Sequence, residues 1–241
     1  MDWQLRPARD AGLTPLQRLR SQGREAGLTG ALLQGLWRRA SRLWLRCAHR
    51  LEIAGREHLP AEGPFLLIGN HSSHLDALSL AAALPTPLAR RCYALAAGDV
   101  FFASARAATF AAYAVNALPV WRRRTRAGEI DLLRQRLTED RLVFILFPEG
   151  TRSRDGAMAP FQPGIGALVA GTPIPVLPCY LEGAHAAWPA TRALPRPGKL
   201  RLTIGAPLRF DAVAEGKEGW RQVARDCEAA VRRLGGLPPA S

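Results

Sequence analysis

The sequence predicts an α/β fold: a central, mostly parallel sheet flanked by helices, preceded by a basic amphipathic helical segment. Three observations carry that expectation. Short apolar runs of strand length alternate along the chain with segments of helical period. The two most apolar runs, residues 65–68 and 142–147, each end in a cluster of polar, reactive side chains. Open α/β sheets build their sites at that edge. Finally, the first 50 residues hold ten arginines against Asp2, Asp10 and Glu25, more than half of the formal net charge of +13.

The elements follow in order. Residues 30–50 read as a helix in which Leu33, Leu36, Trp37, Ala40, Leu43, Trp44 and Cys47 share one face at about 100° per residue. Arg38, Arg39, Arg42, Arg46 and Arg50 fall opposite. Tryptophans on the apolar side of a basic helix suit a membrane interface rich in anionic lipid. The alternative is a helix that packs its apolar face on the domain and leaves its arginines in water. Residues 51–53 and 65–68 read as strands, the second followed by a loop with His71 and a helix over 75–84 that Pro85 ends. A strand at 92–95, an Ala-rich helix over 101–115 and a strand at 118–121, running into Arg122, come next. An amphipathic helix over 129–139 precedes the strand at 142–147. A helix at 164–170, strands at 174–181 and 200–204, and a helix over 220–234 close the chain. With no repeat or linker in view, the expected organisation is an N-terminal membrane-associating segment, 1–50, and one domain, 51–241.

Composition narrows the partners. A chain of 241 residues with 48% hydrophobic and 22% charged residues is ordinary for a folded protein. The charge of +13 is not, and calls for an anionic partner: nucleic acid, anionic lipid, or an acidic substrate or carrier. Arginine supplies every basic residue except Lys199 and Lys217, a bias that genome composition can also produce. The arginines of the N-terminal helix lie on an amphipathic pattern and no nucleic-acid-binding module occurs, so nucleic acid is not expected. Cys47, Cys92, Cys179 and Cys227 are scattered without metal-ligand spacing and read as buried thiols in a reducing compartment. A spanning helix needs about 20 uninterrupted apolar residues. The longest uncharged stretch, 157–181, carries five prolines. No apolar signal core opens the chain. The expected location is the cytoplasmic face of the cell membrane, peripheral or monotopic.

The chemistry sits in two blocks. In Asn70-His71-Ser72-Ser73-His74-Leu75-Asp76, the imidazole is a candidate base and the carboxylate its orienting partner. Five residues apart on one helix, they would diverge by about 140°. They can meet only if His71 lies in the loop and Asp76 in the first turn of the helix. Ser72 and Ser73 are expected to cap that helix, and His74 to be a loop residue. In Pro148-Glu149-Gly150-Thr151-Arg152-Ser153, Arg152 and the amides of Gly150 and Thr151 are natural phosphate ligands. Glu149 is expected to accept from a substrate hydroxyl or to orient an arginine. A metal-dependent hydrolase using His71, His74 and Asp76 would need further ligands, and His49, His58 and His185 do not cluster with them.

Four blocks in register resemble the motifs of the glycerolipid acyltransferases, the lysophosphatidate acyltransferase-like family. They are N-H-x-S-x-x-D at 70–76, Leu118-Pro119-Val120-Trp121-Arg122, F-P-E-G-T-R-S at 147–153, and Ile174-Pro175-Val176-Leu177-Pro178. The resemblance implies an acyltransferase domain over 51–241. It implies that His71, oriented by Asp76, deprotonates an acceptor hydroxyl that attacks the thioester of acyl-CoA or acyl-carrier protein, with no metal or other cofactor. It also implies that Arg122, Glu149, Gly150, Thr151 and Arg152 bind the acceptor, a lysophospholipid such as 1-acylglycerol 3-phosphate, in phospholipid biosynthesis. Two departures stand out: Asn116 where many members have glycine, and Gly98-Asp99 near where many have a lysine. They keep open a different lyso-lipid, or an acceptor with another head group.

Overall fold

The computed structural model describes residues 8–25, 27–120 and 127–239. Helices α1 (Pro15–Leu19) and α2 (Leu28–Ala48) precede β1 (Glu52–Ala54) and β2 (Phe65–Gly69). Then come α3 (Asp76–Ala83), α4 (Thr86–Arg90), β3 (Cys92–Ala97), α5 (Gly98–Phe101), α6 (Ala105–Ala114) and β4 (Ala117–Val120). The chain continues through α7 (Ala127–Glu139), β5 (Val143–Leu146), α8 (Gly164–Val169), β6 (Val176–Glu182), α9 (Ala184–Ala187), β7 (Arg201–Ile204) and α10 (Lys217–Leu234). The strands form one seven-stranded sheet, ordered β1-β7-β6-β2-β5-β3-β4. Every pairing is parallel except β6 with β7. The expected α/β class with a mostly parallel sheet is the one found.

The core explains the two apolar runs. A central parallel strand is covered on both faces, so it reads as continuous hydrophobicity rather than alternation. Along β2, Phe65 and Leu67 join one buried cluster, with Leu80, Leu84 and Ile145, beneath α3. Leu66 and Ile68 join the other, with Phe144, Leu168 and Val231, beneath α8 and α10.

Three local expectations change. The Ala-rich stretch 101–115 is broken into α5 and α6; Ser104 takes the position before α6 and its carbonyl accepts the Ala108 N–H at 2.9 Å. An additional short helix, α4, starts at the Pro85-Thr86-Pro87 step, where proline is tolerated in a first turn. Cys47 is exposed, whereas Cys92, Cys179 and Cys227 are buried. On α2, it is the alternative with the apolar face packed on the domain that fails. Its buried residues are Gln34, Ser41 and Leu45, while Leu32, Leu33, Leu36 and Leu43 are each at least 60% exposed. Arg38 and Arg42 lie only partly exposed on the domain side, and Arg42 reaches the Leu84 carbonyl. The apolar face points outward.

Polar anchors hold this helix and the segment before it. Asn116, in left-handed backbone at φ 51°, accepts through Oδ1 from Arg24 at 2.9 Å and Gln34 at 3.1 Å, and donates to the Cys92 carbonyl at 2.7 Å. Asparagine tolerates that conformation better than most residues. Here it also supplies an amide that glycine could not. Buried Arg24 caps the carbonyls of Ala112 and Ala117, and buried Gln22 reaches that of Pro119.

Candidate active site

β2 and β5 are adjacent and parallel, with Ile68 opposite Leu146, so the loops that leave them emerge side by side. Past β2, the side chain of Asn70 extends the pairing with β6: Nδ2 donates to the Leu181 carbonyl at 3.1 Å and Oδ1 accepts the Leu181 N–H at 2.8 Å. His71 comes next, outside the ladder. Asp76 opens α3, and its Oδ2 takes His71 Nδ1 at 2.8 Å together with the N–H groups of Ser72 at 2.7 Å and Ser73 at 2.8 Å. The loop-then-helix arrangement therefore brings base and acid together.

Asp76 is fully buried, while the His71 side chain keeps 18% exposure. With Nδ1–H donated to a carboxylate, the lone pair sits on Nε2. No described residue hydrogen-bonds that nitrogen. Phe147 stacks on the imidazole with centroids 4.2 Å apart and planes 13° off parallel. The serines do not cap α3 as expected. Asp76 instead accepts their main-chain N–H groups, because a carboxylate is the stronger acceptor for several donors. Ser73 Oγ accepts the Leu75 N–H and donates to the Trp188 carbonyl.

The second block turns beside the first. Gly150 adopts φ 73°, which glycine takes without strain, and its N–H donates to the Phe147 carbonyl at 3.1 Å. Gly150 and Thr151 are exposed. Glu149 faces inward: Oε1 accepts the His71 N–H at 2.6 Å and Oε2 the Ala159 N–H at 2.9 Å. Burial pushes its carboxyl up to about 7, against the pull of those two donors. Arg152 Nη1 stands 2.7 Å from Nδ1 and 2.9 Å from Nε2 of His74, and its guanidinium lies over the Phe101 ring at 5.9 Å. Burial, and then the charge of Arg152, holds His74 below the ordinary histidine range. A neutral ring can accept from the arginine.

Five of the expected residues thus flank one another or share one turn with those that do: His71, Asp76 and Glu149 by direct bonds, Gly150 and Thr151 by sequence. Arg152 joins through His74, three residues after the base. Arg122 lies outside the described residues. Sequence reasoning did not single out His74 as a partner for Arg152, nor Ala159 and Trp188; the last two carried no signal of their own. Among the described residues, no group of three or more His, Cys, Asp or Glu could hold a metal ion.

A cavity of about 800 Å³ lies beside the loop, bounded by α2, α3, α6 and the segment 188–195. Trp37, Trp44, Leu78, Phe110 and Trp188 line it, with His74 among them. Trp188 sits between His74, at 5.0 Å, and Trp44, at 6.5 Å. The polar loop with His71 and His74 therefore borders a mainly apolar space of a size suited to small-molecule ligands.

An imidazole bonded to a buried carboxylate thus stands at the strand ends of a mostly parallel sheet, next to a mainly apolar cavity. The chain belongs to the acyltransferase family, whose sequence model matches residues 50–182. It is 28% identical over 170 residues to mouse 1-acyl-sn-glycerol-3-phosphate acyltransferase alpha, covering 68% of this chain and 56% of that one. The human protein of the same name is 31% identical over 138 residues, 55% of this chain and 46% of its own. The chain thus spans about half the length of these relatives. The crystal structure of the 1-acyl-sn-glycerophosphate acyltransferase PlsC from Thermotoga maritima matches with a TM-score of 0.60, covering 85% of this chain and 78% of that one at 24% identity. That likeness is one of fold. Together the matches support the lysophosphatidate acyltransferase-like family that the four blocks resemble.

Proposed function

We propose that this protein transfers a fatty acyl group from acyl-CoA or acyl-carrier protein to the hydroxyl of a lysophospholipid such as 1-acylglycerol 3-phosphate. The observation that carries the reading is the His71 Nδ1–Asp76 Oδ2 bond of 2.8 Å, which leaves Nε2 as the proton acceptor. In the proposed step Nε2 takes the hydroxyl proton, the oxygen attacks the thioester carbonyl, and the carbon–sulfur bond breaks. The imidazolium returns its proton to the leaving thiolate. Arg152, with Arg122 from the second block, would hold the acceptor's phosphate. The names of the mouse and human relatives, 1-acyl-sn-glycerol-3-phosphate acyltransferases, support that acceptor. No metal or other cofactor enters the scheme.

The setting we propose is an anionic membrane surface, with the protein peripheral or monotopic on the cytoplasmic face. Exposed Leu33, Leu36, Trp37 and Leu43 on α2, with Phe110 and Tyr113 on α6, form an apolar surface of the kind that buries at an interface. No described helix is long and apolar enough to cross a membrane. A different lyso-lipid acceptor is the second reading; Gly98-Asp99, which open α5, favour it, since the family the four blocks resemble often carries a lysine near that point. The deciding experiment measures acyl transfer to a panel of lysophospholipids with acyl-CoA or acyl-carrier protein as donor. Turnover with 1-acylglycerol 3-phosphate at least tenfold above the others supports the first reading. Preference for another head group supports the second, and no acyl transfer to any lipid contradicts both.

A further inference from the structure

We infer that Glu149 is a positioning residue rather than a ligand for the acceptor, and that it transmits the rigidity of the C-terminal helix α10 to the main chain of His71. His71 lies beyond the end of β2, so the sheet satisfies neither its N–H nor its C=O. The neighbouring loop supplies both. Glu149 Oε1 accepts the N–H at 2.6 Å, and the N–H of Ser153 donates to the C=O at 2.7 Å. Phe147 lies flat on the ring. Three of the seven residues in the block 147–153 therefore grip the base itself.

The grip continues away from the site. Oε2 of Glu149 holds the Ala159 N–H at 2.9 Å. Two residues on, the Phe161 N–H donates to Glu228 of α10 at 2.9 Å. Arg232, one turn further along α10, bonds Glu228 at 2.8 Å and the Met158 carbonyl at 3.2 Å. Glu149 and Glu228 are 4% and 5% exposed. Two buried carboxylates thus clamp the irregular segment 158–161 from either side, and one of them also clamps His71. Glu228 lies outside all four sequence blocks.

The chemistry requires an acceptor at both oxygens of Glu149, because both face N–H donors. An amide offers one acceptor and one donor, so Glu149→Gln sets an NH₂ group against a main-chain N–H. The role in catalysis rests on the acyl-transfer reading; the mechanical link does not. Hydrogen exchange read by mass spectrometry on the full chain tests the link without any turnover. Glu228→Gln is expected to raise exchange at least tenfold in peptides covering 157–163 and 70–73, with β3 and β4 unchanged. Steady-state kinetics on Glu149→Gln are expected to show kcat down about a hundredfold, with KM for 1-acylglycerol 3-phosphate within threefold of the parent. A KM raised tenfold with kcat retained would make Glu149 an acceptor ligand and overturn the proposal. Uniformly faster exchange across the sheet in Glu228→Gln would reduce that residue to general stability and overturn the link.

Discussion

Helices α2 and α10 are both long, both amphipathic and both rich in arginine, yet they turn opposite faces to the domain. On α10 the buried residues are Val223, Ala224, Cys227, Ala230 and Val231 with one carboxylate, Glu228, and Arg221, Arg225 and Arg233 face water. On α2 the buried ones are Gln34, Ser41 and Leu45, and leucines and Trp37 face outward. α10 follows the usual rule that burial of apolar area holds a surface helix in place. α2 is held by polar bonds: Gln34 to Asn116, the Trp37 indole to the Ala114 carbonyl at 2.6 Å, and Arg42 to the Leu84 carbonyl. The comparison teaches that period alone identifies two faces without saying which one the domain takes. An outward apolar face fixed by specific hydrogen bonds is a surface kept for something else.

The contrast can be broken at several points. An aspartate at Val231, fully buried on α10, should cost about 3 kcal/mol or more, because an unpaired carboxyl must be desolvated. Chemical denaturation reads this directly, and a loss under 1 kcal/mol would dissolve the distinction between the helices. The next effect concerns Glu149, on the α10 side of the site. Its carboxyl, pushed up to about 7 by burial, ionises at a higher pH in the folded chain than in the unfolded one, where it does so near 4.5. Stability should therefore fall as pH rises from 4.5 to 7, by up to about 3 kcal/mol for this group, and level off above. The same titration on Glu149→Gln should lack that component; identical slopes would remove the burial argument.

Arg24→Ala should cost about 2 kcal/mol, since two carbonyls and the Asn116 side chain lose a charged donor. That variant tests whether polar bonds fasten the region around α2. The smallest change in stability is expected for Leu36→Asp on the outer face of α2: within about 0.5 kcal/mol of the parent. Its binding to anionic vesicles in a sedimentation assay should nevertheless weaken at least tenfold. Unchanged vesicle binding would show that the outward face serves some purpose other than a lipid surface.

Much of this was legible in the chain. Seven strands and helices α2, α3, α7, α8 and α10 follow from apolar runs and period, because a doubly covered parallel sheet leaves a strong signature; the short α1, α4 and α9 carry none. His71 and Asp76 could be paired from their spacing and the strand ahead of them. The direction of Glu149 could not, since a glutamate after a strand can turn either to solvent or back under the loop. Ala159 and Glu228, which decide that direction, are distant in sequence and ordinary in type. The bonds that hold α2 were equally hidden: Gln34 and Arg24 look like surface residues until Asn116 meets both. The break between α5 and α6 lies within an alanine-rich stretch that favours continuous helix on propensity alone.

The most direct test of the central claim is turnover by His71→Ala, measured beside its thermal unfolding. In that variant kcat for acyl transfer should fall about a thousandfold with the melting transition preserved, as expected for loss of a general base. Near-parental turnover in a folded His71→Ala protein would contradict it.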